Sequence, residues 1–142
     1  MAATEADKAI KRAIQARNAA ITAKDVAGVM ASGAPGFVSY SLAPPLRETG
    51  GKAGLAAWFD TWDGPIGFEI TGLKVTAGDV AAFAHGLAHM TGRKTDGEIV
   101  DLWHRITLGL RIFRGEWRIV HEHSSVPFYM DGSFKAAIDL KP

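Results

Sequence analysis

An α+β fold is predicted for this chain, a curved antiparallel sheet folded around helices and enclosing a mostly apolar pocket. Three observations lead there. The first part of the 142-residue chain holds three stretches with apolar residues at helical spacing. The remainder holds four long stretches rich in strand formers. The turns between the last of these, Asp96-Gly97 and Arg114-Gly115, are too short for crossover helices, so those neighbours run antiparallel. Helices gathered against one side of such a sheet bury the apolar surface of both layers.

In chain order, Ala6, Ile10, Ala13, Ile14, Ala20 and Ile21 give residues 4–24 one apolar stripe. Lys8, Lys11, Arg12 and Arg17 read as its solvated face, and Thr4 and Asp7 are the candidate caps. A second, short helix starts at Asp25, with Val26, Val29 and Met30 on one face, and ends at Gly33, Pro35 and Gly36. Residues 37–42 read as a strand closed by Ala43-Pro44-Pro45. A third helix is read over 52–61, where Leu55, Trp58, Phe59 and Trp62 form an aromatic face and Gly64-Pro65 stops the element. Strands follow over 68–75, 80–92, 99–113 and 116–128, and the tail 133–142 either frays or packs on a partner.

Composition bounds the possibilities. Hydrophobic residues at 47% and charged residues at 22% are ordinary for a globular protein, and the length suits a single domain over 1–142. A net charge of +1 gives no reason to expect nucleic acid or an anionic membrane as partner. The absence of cysteine excludes disulfides, thiolate metal sites and cysteine nucleophiles. The opening Met1-Ala2-Ala3-Thr4-Glu5-Ala6-Asp7 has no signal-peptide pattern and no run is long enough to span a membrane, so a soluble, cytoplasmic protein is expected. Residues 106–113 are apolar at both parities. One face can meet the helices, and the other is expected to meet a second copy in a homodimer.

A candidate site follows from register. Arginine resists the positive φ that a two-residue turn demands, so a three-residue loop ending at Gly115 is expected between the last two strands. That loop pairs Ile112 with Glu116, which sets His121 opposite Thr107, His123 opposite Arg105 and Ser125 opposite Trp103. Asp101, Trp103 and Arg105 then share a face with His121, His123 and Ser125, above an apolar floor of Phe113, Trp117 and Ile119. With two residues in the turn, the histidines would instead face Leu108 and Ile106. Tyr40, Trp58 and Trp62 are expected to complete the pocket. His85 and His89 share one parity; a Thr95-Asp96-Gly97 loop points them in, and a two-residue Asp96-Gly97 turn points them out.

Several segments resemble a known family. Leu42-Ala43-Pro44-Pro45-Leu46, Asp101-x-Trp103-x-Arg105 and the run Trp117-Arg118-Ile119-Val120-His121-Glu122-His123-Ser124-Ser125-Val126-Pro127-Phe128 are similar to the SnoaL-like group of the nuclear transport factor 2-like superfamily. The resemblance covers nearly the whole chain. It implies a cone-shaped roll, commonly dimeric, with a cavity between the concave sheet and the helices. It also implies relatives among polyketide cyclases, ketosteroid isomerases, epoxide hydrolases, dehydratases and non-catalytic assembly domains. This chain departs from them: the first helix holds no tyrosine, and histidines stand where cyclases have an acid–base aspartate.

Two functional readings remain open. In the first, the chain is a cofactor-independent acid–base enzyme acting on a small hydrophobic carbonyl or polyketide-like compound. His121 or His123 is then the base, since imidazole titrates near neutrality. Arg105 with Tyr40 stabilises the oxyanion, and Asp101 orients an imidazole or activates water. Trp58, Trp62, His85, Trp103 and Ser125 line the pocket, and no metal is assigned because the histidines lack a carboxylate or cysteine companion. In the second, the same cavity binds a hydrophobic ligand without chemistry, or the chain is a dimerisation module whose cavity is incidental.

Overall fold

The computed structural model describes residues 3–142, so Met1 and Ala2, which open the segment read for a signal peptide, lie outside the described residues. Helix α1 (Glu5–Thr22) begins with a reciprocal cap: the Thr4 hydroxyl accepts from the Asp7 backbone and the Asp7 carboxylate accepts from the Thr4 backbone. Helix α2 (Val26–Ser32) is capped by the Asp25 carboxylate, which accepts from Gly28 N–H. The chain passes directly into β1 (Gly33–Tyr40), four residues earlier than the expected strand at 37. Helix α3 is Lys52–Phe59. The strands β2 (Trp62–Ala77), β3 (Ala81–Lys94), β4 (Ile99–Phe113) and β5 (Glu116–Ser125) complete the domain. Trp62 therefore opens β2 and does not belong to the covering helix. The Gly64-Pro65 step lies inside this strand where its pairing slips, as proline tolerates in an edge strand at a bulge.

The five strands form one open sheet in the order β1-β5-β4-β3-β2. Neighbours are antiparallel, except that β1 runs parallel to β5. Ile10, Ile14 and Ile21 of α1 pack with Ile66, Phe68, Ala84, Ala88, Ile106, Leu108, Leu110 and Ile119 in one core. Even-numbered positions of β4 thus face the helices, and odd-numbered positions face away. Among the described residues no helix is long and apolar enough to cross a membrane.

Two turns set the registers. Lys94 N–H donates to Glu98 and His89 lies opposite Trp103, so Thr95-Asp96-Gly97 is the three-residue loop of the first alternative. The β4–β5 turn differs from expectation. Phe113 pairs with Glu116, leaving two residues, Arg114 at φ 52° and Gly115 at φ 80°. A left-handed arginine costs roughly 1–2 kcal/mol; the two-residue turn matches the twist of long strands and joins two of them in unbroken pairing.

A bulge then reverses the consequence. Leu110 pairs with Ile119 and the next residue, Gly109, pairs with His121, so Val120 is an extra residue without a partner. Gly109 makes room: a Cβ there would lie 3.3 Å from the Cβ of His121. Without the bulge, His121 and His123 would follow Trp117 and Ile119 onto the helix side. With it, Glu122 and Ser124 take that side. His121 lies opposite Gly109, His123 opposite Thr107 and Ser125 opposite Arg105, each two residues from its expected partner. The expected floor of Phe113, Trp117 and Ile119 is therefore not continuous with the histidines.

Candidate functional site

The helix side of the sheet holds a polar set that the sequence reading left out. Arg17 occupies the α1 stripe at the spacing 10, 14, 17, 21 and is 7% exposed, so its place on a solvated face is corrected. Its Nη2 donates to the carboxylate of Glu122 on β5. Among the described residues nothing pairs with Arg17 Nη1, although that atom is buried. His104 shares its parity with Ile106, Leu108 and Leu110 and is 5% exposed. Its Nδ1–H donates to the Arg105 carbonyl at 3.1 Å, since a carbonyl can only accept. Nε2 of that ring then carries a lone pair.

Burial pushes the His104 pKa below the ordinary imidazole value; the Arg105 carbonyl and the Glu122 charge oppose that shift and the Arg17 charge adds to it. Phe68 closes the group: its ring centroid lies 6.0 Å from that of His104 and 5.9 Å from the Arg17 guanidinium carbon. Ser124 and Ser39 are buried on the same side, Ser39 beside Glu122 across the parallel pair. A buried neutral imidazole near a buried guanidinium with an unused N–H can exchange a proton and hold a developing negative oxygen.

The residues expected in the pocket lie elsewhere. Asp101, Trp103, Arg105, His121, His123, Ser125, Tyr40 and His85 take the sheet face turned away from α1, because the bulge at Val120 and the parity of β4 direct them there. They form three small groups. His89 meets the Asp101 carboxylate at 2.6 Å and stacks on Trp103 with ring centroids 4.2 Å apart. That hydrogen bond holds the Asp101 carboxyl below its ordinary pKa. Arg105 Nε donates to Ser125 Oγ at 3.1 Å. His121 Nδ1–H donates to the Val38 carbonyl at 2.7 Å, and Tyr40 stands edge-on to His121 and His123. His85 stacks on Phe83 and, with Arg105, lines an open depression of about 430 Å³. Among the described residues no three His, Asp or Glu side chains are grouped to hold a metal ion.

Trp58 and Trp62 stay with the core, edge to face at 5.7 Å, and Lys94 Nζ sits 4.0 Å from the Trp62 ring centroid. Burial lowers the Lys94 pKa, with Glu98 and Asp96 acting the other way. On the helix side of the edge strand, α1 and β2 flank an open groove of about 620 Å³ lined in part by Phe68.

Comparison with known proteins follows the same outline. A nuclear transport factor 2-like protein of unknown function from Pseudomonas putida is 31% identical, with 99% of each chain covered and a TM-score of 0.87. A nuclear transport factor 2-like superfamily protein from Salmonella enterica shares the fold at 20% identity and a TM-score of 0.73, over 89% of this chain and 94% of that one. A ketosteroid isomerase-like protein from Erwinia carotovora does so at 21% identity and 0.70, over 87% and 97%. No curated protein sequence matches this chain. The family model described as a SnoaL-like domain matches residues 10–129, and the chain belongs to that family, within the nuclear transport factor 2-like superfamily.

Proposed function

We propose that this SnoaL-like protein is a cofactor-independent acid–base enzyme acting on a small, mostly apolar carbonyl compound, with His104, Arg17 and Glu122 as its centre. The observation that carries the reading is the buried His104 ring, kept neutral by burial and sharing the Phe68 ring with a guanidinium whose Nη1 has no partner among the described residues. His104 Nε2 takes a proton from the carbon next to the carbonyl. The electron pair of that C–H bond becomes the C=C bond of an enolate while the C=O π pair moves onto the oxygen, which accepts from Arg17 Nη1. The imidazolium formed is offset by the Glu122 carboxylate and returns its proton to another carbon or to a leaving group. Glu122 is a positioning residue, since it holds Arg17 by a charge-assisted hydrogen bond.

Hydrogen–deuterium exchange next to the carbonyl of bicyclic ketones such as 1-tetralone, followed by NMR, tests this without knowledge of the natural substrate. His104→Asn is expected to lower protein-catalysed exchange about a hundredfold or more. Exchange that survives His104→Asn but is lost in His121→Ala or His123→Ala would return the base to the outer face.

A homodimer through the outer face accompanies this reading. It is supported by Phe83, Leu87 and Tyr40, which are 48%, 39% and 40% exposed on the face that also carries Trp103. Large apolar side chains gathered on one sheet face favour a partner over water.

A further inference from the structure

A two-residue turn with positive φ at both positions ordinarily takes Asn, Asp or Gly first. Here that position holds Arg114, exposed and at φ 52°. The strands that the turn joins add a second departure from local stability. Arg111 on β4 stands directly opposite Arg118 on β5, and like charges facing each other across a ladder repel. All three arginines gather on one ring. Their guanidinium carbons lie 5.6 Å (Arg111), 5.2 Å (Arg114) and 5.8 Å (Arg118) from the Phe113 centroid.

The protein satisfies these groups unequally. Arg118 donates from Nη2 to Glu116 at 3.1 Å and from Nη1 to the Ala31 carbonyl of α2 at 2.7 Å. Arg111 gives one hydrogen bond, from Nη2 to the Pro35 carbonyl at 3.0 Å. Among the described residues Arg114 makes none, and the Glu116 carboxylate, the one paired within the cluster, is taken by Arg118. Two guanidinium groups without a counter-ion therefore share one ring at a strained turn. Strain and like-charge contact meeting at one place point to function.

We propose that this tip binds a soluble ligand through a phosphate group, free or as an ester, with Arg111 and Arg114 gripping its oxygens. A guanidinium matches phosphate oxygens with paired N–H donors, and the Phe113 ring gathers both groups at the tip. The phosphate also offsets the repulsion between Arg111 and Arg118. Two uncommitted arginines are too little charge to hold a bilayer, so the ligand is not a lipid headgroup. The site is independent of the His104 centre, which lies on the opposite parity of β4.

Pyrophosphate is the probe, titrated into the full chain at constant, low ionic strength with chloride as the reference and followed by amide chemical shifts. Shifts at residues 111–118 that saturate with a Kd below about 5 mM are expected. Arg114→Asn supplies a residue that the turn prefers. It is expected to raise the melting temperature by about 2–5 °C and to weaken pyrophosphate binding about fivefold or more. Vesicles of phosphatidylcholine with phosphatidic acid are expected not to retain the protein. Shifts that do not saturate in that range, or that lie away from the turn, would overturn the proposal, as would unchanged affinity in Arg114→Asn. A lower melting temperature for that variant would do so too, since the arginine would then serve the turn itself. Retention on the vesicles would overturn the soluble ligand in favour of a lipid.

Discussion

Arg17, in the middle of the first helix, reaches across the interior to the carboxylate of Glu122 on the last strand, with side chains 8% and 15% exposed. Charges this far from water are stable only as a pair. Glu122→Leu alone should therefore cost about 3–5 kcal/mol, because it strands the guanidinium. Arg17→Met with Glu122→Leu should recover most of that loss, since two apolar side chains replace two desolvated charges. Chemical denaturation of both single variants and the double variant gives the coupling. Additive losses would mean that the pair is not formed.

The lowered pKa of His104 ties stability to pH. Its folded value lies below its unfolded value of about 6.5, so between the two the unfolded chain binds the proton more readily. The stability contributed by the neutral ring is complete above about pH 6.5 and is lost as pH falls toward the folded pKa. Denaturation midpoints for the wild type should drop between pH 7 and pH 5 by more than those of His104→Phe. Parallel curves would contradict this.

Deletion of Val120 tests the bulge. Removing the extra residue leaves His121 opposite Gly109 and Glu122 opposite Leu108, the partners they have in the bulged strand, so both histidines stay on the outer face and Glu122 stays with Arg17. The loss of stability is expected to be about 1–2 kcal/mol, below that of Glu122→Leu. A loss as large as that of Glu122→Leu would mean that the deletion throws the pairing beyond Val120 out of register.

The outer face gives a test of assembly. Sedimentation of the wild type at micromolar concentration should report a dimer, and Leu87→Glu should shift it toward monomer by placing a charge among the apolar side chains of that face. A monomeric wild type would remove the proposed interface.

Much of this was legible from residue order. Helix caps at Thr4 and Asp25 and the span of β4 follow from local rules that nothing distant overrides, whereas the Asp96-Gly97 turn allowed two registers that only the strand pairing decides. The face of the histidines was not legible, because it depends on two features that partly cancel. The Arg114-Gly115 turn accepts a strained arginine, and the bulge at Val120 then restores the expected parity with a shift of two residues. Both depend on the pairing of whole strands, which turn chemistry alone does not contain.

The interior set left a fainter signal. Arg17 falls on the apolar stripe of its helix, and His104 falls at the parity of Ile106, Leu108 and Leu110. A charge or imidazole at a core position is the informative exception to an apolar pattern.

NMR titration of the histidine ring protons, with His104→Asn to assign the resonance, addresses the buried imidazole most directly. The resonance missing from the variant is expected to have its midpoint below the ordinary imidazole range in the wild type. A midpoint at or above that range would mean that the ring is solvated or protonated at neutral pH, and His104 could not be the base.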